Sequence, residues 1–159
     1  MLNMRTAVMA LLAGAVLLAL SGVATHASKN QFALNVDANG NAVAGYDTVA
    51  YFTDAKAIRG KPEFAHAWRG ARWLFASAAH RDRFAREPEK YAPRMGGFCA
   101  IGVANGRMQE VDPELWLMVD GRLYLYLDVA VRDAALADLQ ASIAEAEQRW
   151  DSIAATGGN

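Results

Sequence analysis

Cysteine is the scarcest reactive residue of this 159-residue chain, which contains one, Cys99. A single cysteine cannot form an internal disulfide bond, so the fold must be stabilised by its packed core. The pair Gly96-Gly97 precedes Cys99 by one residue, and a short apolar segment, residues 100–104, follows it. A glycine-rich turn allows close approach to a ligand, and amides at the start of a helix favour a thiolate. Cys99 is therefore the first candidate functional residue, and a small buried side chain without chemistry is the alternative.

An excess of charge of one sign is also absent, because the formal net charge is −1. Nucleic-acid-binding proteins carry a basic excess or stripe, so we expect no nucleic-acid partner. The sequence contains no Ser-His-Asp order, phosphate-binding loop, dinucleotide fingerprint or His-x-x-x-His pair. It has no internal repeat and no Pro-rich linker either, which favours one globular domain.

Long hydrophobic runs are missing apart from one near the start of the chain. This run, residues 7–20, follows Arg5 and has about 14 residues, whereas a membrane-spanning helix needs about 20. The small residues Thr25 and Ala27 flank His26, as at a signal-peptidase site. The pattern predicts a signal peptide over residues 1–27, cleaved after Ala27, and a periplasmic or secreted protein without stable membrane insertion. An uncleaved N-terminal anchor is the alternative.

The rest of the chain predicts an N-terminal extension (28–42), one domain (43–153) and a disordered tail (154–159). Asp47 and Ser77 are placed to cap helices, the second over residues 78–86. Hairpin turns are predicted at Arg69-Gly70 and Asp120-Gly121, a short strand at 107–111, a turn at 112–114 and one helix over 130–153. We therefore expect an α+β fold in which two β-hairpins form a small antiparallel sheet, packed with short helices and a C-terminal helix.

Three segments in order resemble a known family. They are residues 75–91, in which an aromatic strand enters a helix, residues 96–104 around Cys99, and the motif Gly45-Tyr46-Asp47-Thr48-Val49-Ala50-Tyr51-Phe52. Together they resemble the exported bacterial YHS domain-containing proteins, over roughly residues 43–150. Some members of that group are labelled as possible selenoproteins, and Cys99 is the natural position for such an exchange.

The resemblance does not bring a metal site with it. Metal-handling YHS and related modules use three cysteines, and Ala50, Ala76 and His80 occupy the corresponding positions here. A rebuilt site would draw on the soft or borderline ligands of this chain, which suit Cu(I) in the periplasm: Cys99, Met95, His80 and His66, with Met108. The leading hypothesis is a periplasmic protein that binds a metal ion, with copper favoured, or a small ligand around Cys99, with Gly96 and Gly97 as the loop.

Two other functions stay open. A thiol-dependent redox enzyme would cycle Cys99 through a sulfenic acid or a mixed disulfide with an external thiol, activated by Arg94 or Arg107. A non-catalytic accessory module is the third possibility. For a small-molecule binder, an aromatic pocket beside Cys99 is expected from three strand residues, Trp68, Trp73 and Trp116.

Overall fold

The computed structural model describes residues 33–156, so the predicted signal peptide lies outside the described residues. Two 3₁₀ turns, Val43–Gly45 and Arg94–Gly97, accompany the helices and strands. In chain order these are α1 Thr48–Thr53, β1 Lys61–Trp68, β2 Ala71–Phe75, α2 Ala78–Arg86, α3 Pro88–Tyr91, α4 Ala100–Ala104, β3 Asp112–Val119, β4 Arg122–Tyr126, α5 Val129–Ala137 and α6 Leu139–Thr156. The predicted α+β class is confirmed. Across residues 33–156, no helix combines the length and apolarity that crossing a membrane requires.

Both predicted hairpins form where the turn residues indicated. Strands β1 and β2 pair antiparallel across Arg69-Gly70, and β3 and β4 across Asp120-Gly121. All four turn residues have positive φ, which matches the right-handed twist of the paired strands. The hairpins do not merge into one sheet, however. In the described part of the chain they remain two separate two-stranded sheets, with no strand pairing between them.

Strand β4 separates two hydrophobic cores. Side chains alternate between the two faces of a strand, and here residues 123–126 are buried on both faces. Leu123 and Leu125 point into a first core with Trp73, Phe75 and Phe84. The alternate residues of β4 point into a second core that includes Val103 of α4 and Ile153 of α6, and they are Tyr124 and Tyr126. The two cores therefore share β4 as their common wall.

The starts of α1 and α2 agree with those predicted from the sequence, whereas the C-terminal helices differ from the prediction. Asp47 and Ser77 accept hydrogen bonds from the first backbone amides of α1 and α2. The single predicted C-terminal helix is wrong, because the helix is interrupted at Asp138, whose non-helical backbone (φ −146°, ψ 74°) separates α5 from α6. Asp138 Oδ1 then accepts a hydrogen bond from Ala141 N at 3.2 Å. Helix α6 continues to Thr156, past the predicted boundary at residue 153.

The predicted strand and turn before β3 are also wrong. Residues 107–111 are not a strand, and β3 begins at Asp112 within the predicted turn. The turn signal was nevertheless real, since Asp112 Oδ1 accepts a hydrogen bond from Glu114 N at 2.9 Å. This local turn lies within β3, and the pairing of β3 with β4 is irregular between Asp112 and Trp116.

Candidate functional site

The turn before Cys99 has an unusual backbone. Met95 has φ +54°, and Gly96 and Gly97 have φ +60° and +84°. A non-glycine residue rarely adopts this left-handed conformation, and Met95 does so while only 2% exposed. At Gly96 a Cβ atom would lie 2.0 Å from the carbonyl oxygen of Ala33, so this position requires glycine. Strain of this kind is held by surrounding structure and clusters at functional sites.

The N-terminal segment holds this turn in place. Asn35 N donates to the carbonyl of Gly96 at 2.9 Å, and Asn35 Nδ2 donates to the carbonyl of Gly97 at 3.1 Å. Asn35 is 5% exposed, so both hydrogen bonds are shielded from water. Asn35, which lies in the predicted N-terminal extension, therefore helps to hold the turn before Cys99.

Cys99 lies in the interior. Its side chain is fully buried, its backbone N–H donates to the carbonyl of Gln109 at 3.0 Å, and it forms a parallel bridge to Leu125 of β4. Nearby, burial first and the charge of Cys99 second raise the pKa of Tyr126 to about 12. Within residues 33–156 the Tyr126 hydroxyl has no hydrogen-bond partner. The thiol is thus enclosed by the fold.

The predicted metal ligands have separate surroundings. His80 Nδ1 lies 2.7 Å from Asp47 Oδ2, at the contact between α1 and α2. His66 on β1 packs the edge of its ring against Phe84 in the first core, with 6.0 Å between ring centroids. Met95 instead packs into the second core, as the partly buried Met108 also does. Across residues 33–156, no group of three or more His, Cys, Asp or Glu side chains is arranged to hold a metal ion.

Of the two arginines proposed to activate Cys99, one is paired with a glutamate and the other is exposed to solvent. Arg94 Nε donates to Glu147 Oε1 at 2.8 Å, and its Nη2 donates to Glu147 Oε2. Arg107 is exposed, and its backbone N–H caps the end of α4 by donating to Gly102. The Arg94 hydrogen bond lowers the pKa of Glu147, against the opposing effect of burial. Arg94 therefore links the turn to α6.

A pocket of about 210 Å³ opens beside the strained turn. Its walls combine two indole rings, charged groups of both signs and the turn itself, and the principal lining residues are Trp68, Arg69, Glu89, Arg94, Met95, Gly96 and Trp150. Of the predicted tryptophans, Trp68 lines it. Trp73 is instead buried in the first core, and Trp116 packs edge-on against Tyr51.

We compared the chain with models of protein families, curated proteins and solved structures. None of the three comparisons found a match.

The size and polarity of the pocket restrict its ligand. Pockets for drug-sized ligands occupy about 300–1,000 Å³, so 210 Å³ suits a molecule of one or two rings. Arg69 lies over the Trp68 ring at 4.2 Å and contacts Glu89 Oε1 at 3.3 Å. The aromatic walls favour a planar apolar body, and the guanidinium and carboxylate groups allow a polar substituent.

Two pocket residues, Glu89 and Trp150, and the supporting residue Asn35 could not have been found from the sequence. Glu89 reads as an ordinary residue of a helix start, and Trp150 as one position of an amphipathic helix face. Asn35 lies in a polar segment whose one recognisable sequence pattern is a turn signal. These residues approach Met95 and Gly96 through tertiary packing, for which no local pattern exists.

Proposed function

We propose that this chain is an exported, periplasmic protein of the YHS type that binds a small ligand in the pocket beside the Gly96-Gly97-Phe98-Cys99 loop. The observation that carries the proposal is the buried, strained turn at Met95-Gly96, which forms one wall of a pocket completed by Trp68 and Trp150. A fold that keeps a costly backbone conformation at a pocket wall fits a binding role. The planar walls favour a one- or two-ring ligand.

The test uses small aromatic probes and paired tryptophan variants. Saturation-transfer NMR is measured with benzoate, benzyl alcohol, benzylamine and indole. We expect at least one probe to bind, and Trp68→Leu or Trp150→Leu to weaken that binding at least tenfold, because each removes an indole wall.

Trp116→Leu is the matched control, since Trp116 is outside the pocket, and circular dichroism checks the folding of all three variants. Binding by no probe, or equal losses in the control, would reject the proposal in favour of a non-catalytic accessory module.

A copper ion bound by Cys99 is the second candidate function. Cys99 and Met95 are both buried and lie four residues apart in the sequence, and soft sulfur ligands suit Cu(I). The reduced protein is titrated with Cu(I) against a competing chelator. A copper site predicts stoichiometric binding that Cys99→Ser abolishes and that Met108→Leu leaves unchanged. An affinity that is the same with and without the thiol would exclude this site.

A further inference from the structure

A second polar site lies on the surface between α1 and α2. His80, in the first turn of α2, has its Nε2 atom 3.7 Å from Oδ2 of Asp54, the residue that ends α1. The imidazole side chain is 18% exposed and the carboxylate 44% exposed, so solvent reaches the space between them. This site is independent of the pocket and of Cys99.

A buried carboxylate fixes the orientation and the tautomer of His80. Asp47 is fully buried, and its Oδ2 accepts from Ala76 N at 2.8 Å and faces His80 Nδ1 at 2.7 Å. Because ionised Asp47 can only accept hydrogen bonds, Nδ1 must carry the proton that joins them. In the neutral ring, the lone pair then resides on Nε2, the atom that faces Asp54.

The facing carboxylate has a positioning partner as well. Thr53 Oγ1 donates to Asp54 Oδ2 at 2.7 Å and lies 3.4 Å from His80 Nε2. Both potential ligand atoms are therefore oriented by a neighbour, Asp47 behind the imidazole and Thr53 beside the carboxylate. A histidine whose second nitrogen is held by a carboxylate is the usual arrangement of a metal-ligating imidazole.

We propose that His80 Nε2 and Asp54 form a surface site for a divalent transition-metal ion, of which zinc is the probe. Two ligand atoms on a tetrahedral zinc, each at about 2.0–2.2 Å, lie roughly 3.3–3.6 Å apart. The observed 3.7 Å needs only a small side-chain adjustment, and Asp54 is exposed enough to make it. The protein supplies two ligands, so water fills the remaining positions and the binding is weak compared with that of a closed structural site.

The experiment measures zinc binding to the full chain by calorimetry and by long-range ¹H–¹⁵N NMR of the imidazole nitrogens. We expect one saturable zinc ion, with the Nε2 resonance of His80 shifted and Nδ1 still protonated. His80→Gln and Asp54→Asn should each weaken binding at least tenfold. The matched control is His66→Gln, whose imidazole packs against Phe84 and should not affect binding.

Asp54→Asn keeps the Asp47–His80 contact, so it decides the question even if His80→Gln destabilises the fold. The proposal is overturned if no saturable binding occurs up to millimolar zinc, if His66→Gln causes the same loss, or if zinc leaves the His80 Nε2 resonance in place.

Discussion

Two single residues of this protein are unusual, Met95 in its backbone conformation and Asp47 in the surroundings of its carboxylate. Met95 combines a left-handed backbone with an almost completely buried side chain. Asp47 is a buried carboxylate with no direct contact to water, and its two oxygens face three backbone amides and one imidazole. A buried carboxylate is tolerated only when such partners replace water.

Gly96→Ala is expected to destabilise the fold by at least about 2 kcal/mol more than Gly106→Ala. Both glycines have positive φ, so both substitutions strain the backbone. Only Gly96 also places its Cβ against a backbone oxygen, since a Cβ at Gly106 meets nothing within 4 Å. Urea unfolding measures the difference. Equal losses would show that the approach of Ala33 to the turn is not rigid.

Asp47→Ala is expected to cost about 3 kcal/mol, because it removes the α1 cap and leaves buried donors unpaired. The control is Asp128→Ala at the start of α5. Asp128 is exposed and accepts one hydrogen bond, from Val131 N at 2.8 Å, so about 1 kcal/mol is expected. Denaturant unfolding of the two variants compares them. Similar costs would mean that Asp47 acts as a cap alone.

At the scale of elements, helix α6 is joined to the turn before Cys99. Glu147 of α6 accepts from Arg94 and from the hydroxyl of Tyr124 on β4, the latter at 3.0 Å. One turn of helix further along, Trp150 lines the pocket. The position of α6 therefore sets the distance between two pocket walls, and the Glu147 contacts fix that position.

The Glu147 contact should make stability pH-dependent. Hydrogen bonding to Arg94 lowers the pKa of Glu147 below 4.5, so its contribution is present above pH 4.5 and is lost as the pH falls through the lowered value. Glu147→Gln should cost about 1 kcal/mol at pH 7 and less at pH 3, because the contribution of the carboxylate decreases as the pH falls below 4.5. Unfolding of both proteins at the two pH values tests this. Glu145→Gln, which affects an exposed pair with Arg149, is the control, and a pH-independent cost for Glu147→Gln would contradict the argument.

For the whole molecule, β4 and the enclosed Cys99 lie between two cores, so the thiol should react only when the fold opens. Labelling by a bulky disulfide reagent such as dithionitrobenzoate is expected to be slow in the native protein. It should accelerate about tenfold for every 1.4 kcal/mol of destabilisation, as in Asp47→Ala. Stopped-flow labelling measures the rate. Fast labelling that ignores stability would instead support the redox hypothesis, because local motion would then present the thiol.

The local features of this molecule could be predicted from sequence and the long-range ones could not. The caps at Asp47 and Ser77 and the turn at Asp120-Gly121 depend on backbone geometry within a few residues, which composition encodes. The contact of Asn35 with Gly97 spans 62 positions, and that of Asp47 with His80 spans 33. Both depend on how elements pack. For the same reason the sequence indicates the candidate loop but neither its pocket nor the neighbours of His80.

The pocket walls come from opposite ends of the described chain, with Leu34 on one side and Trp150 on the other. Because these residues are far apart in the sequence, the cavity exists only while α6 is packed against the N-terminal segment. A fragment that stops before α6 would keep both hairpins and still have no second indole wall for this cavity.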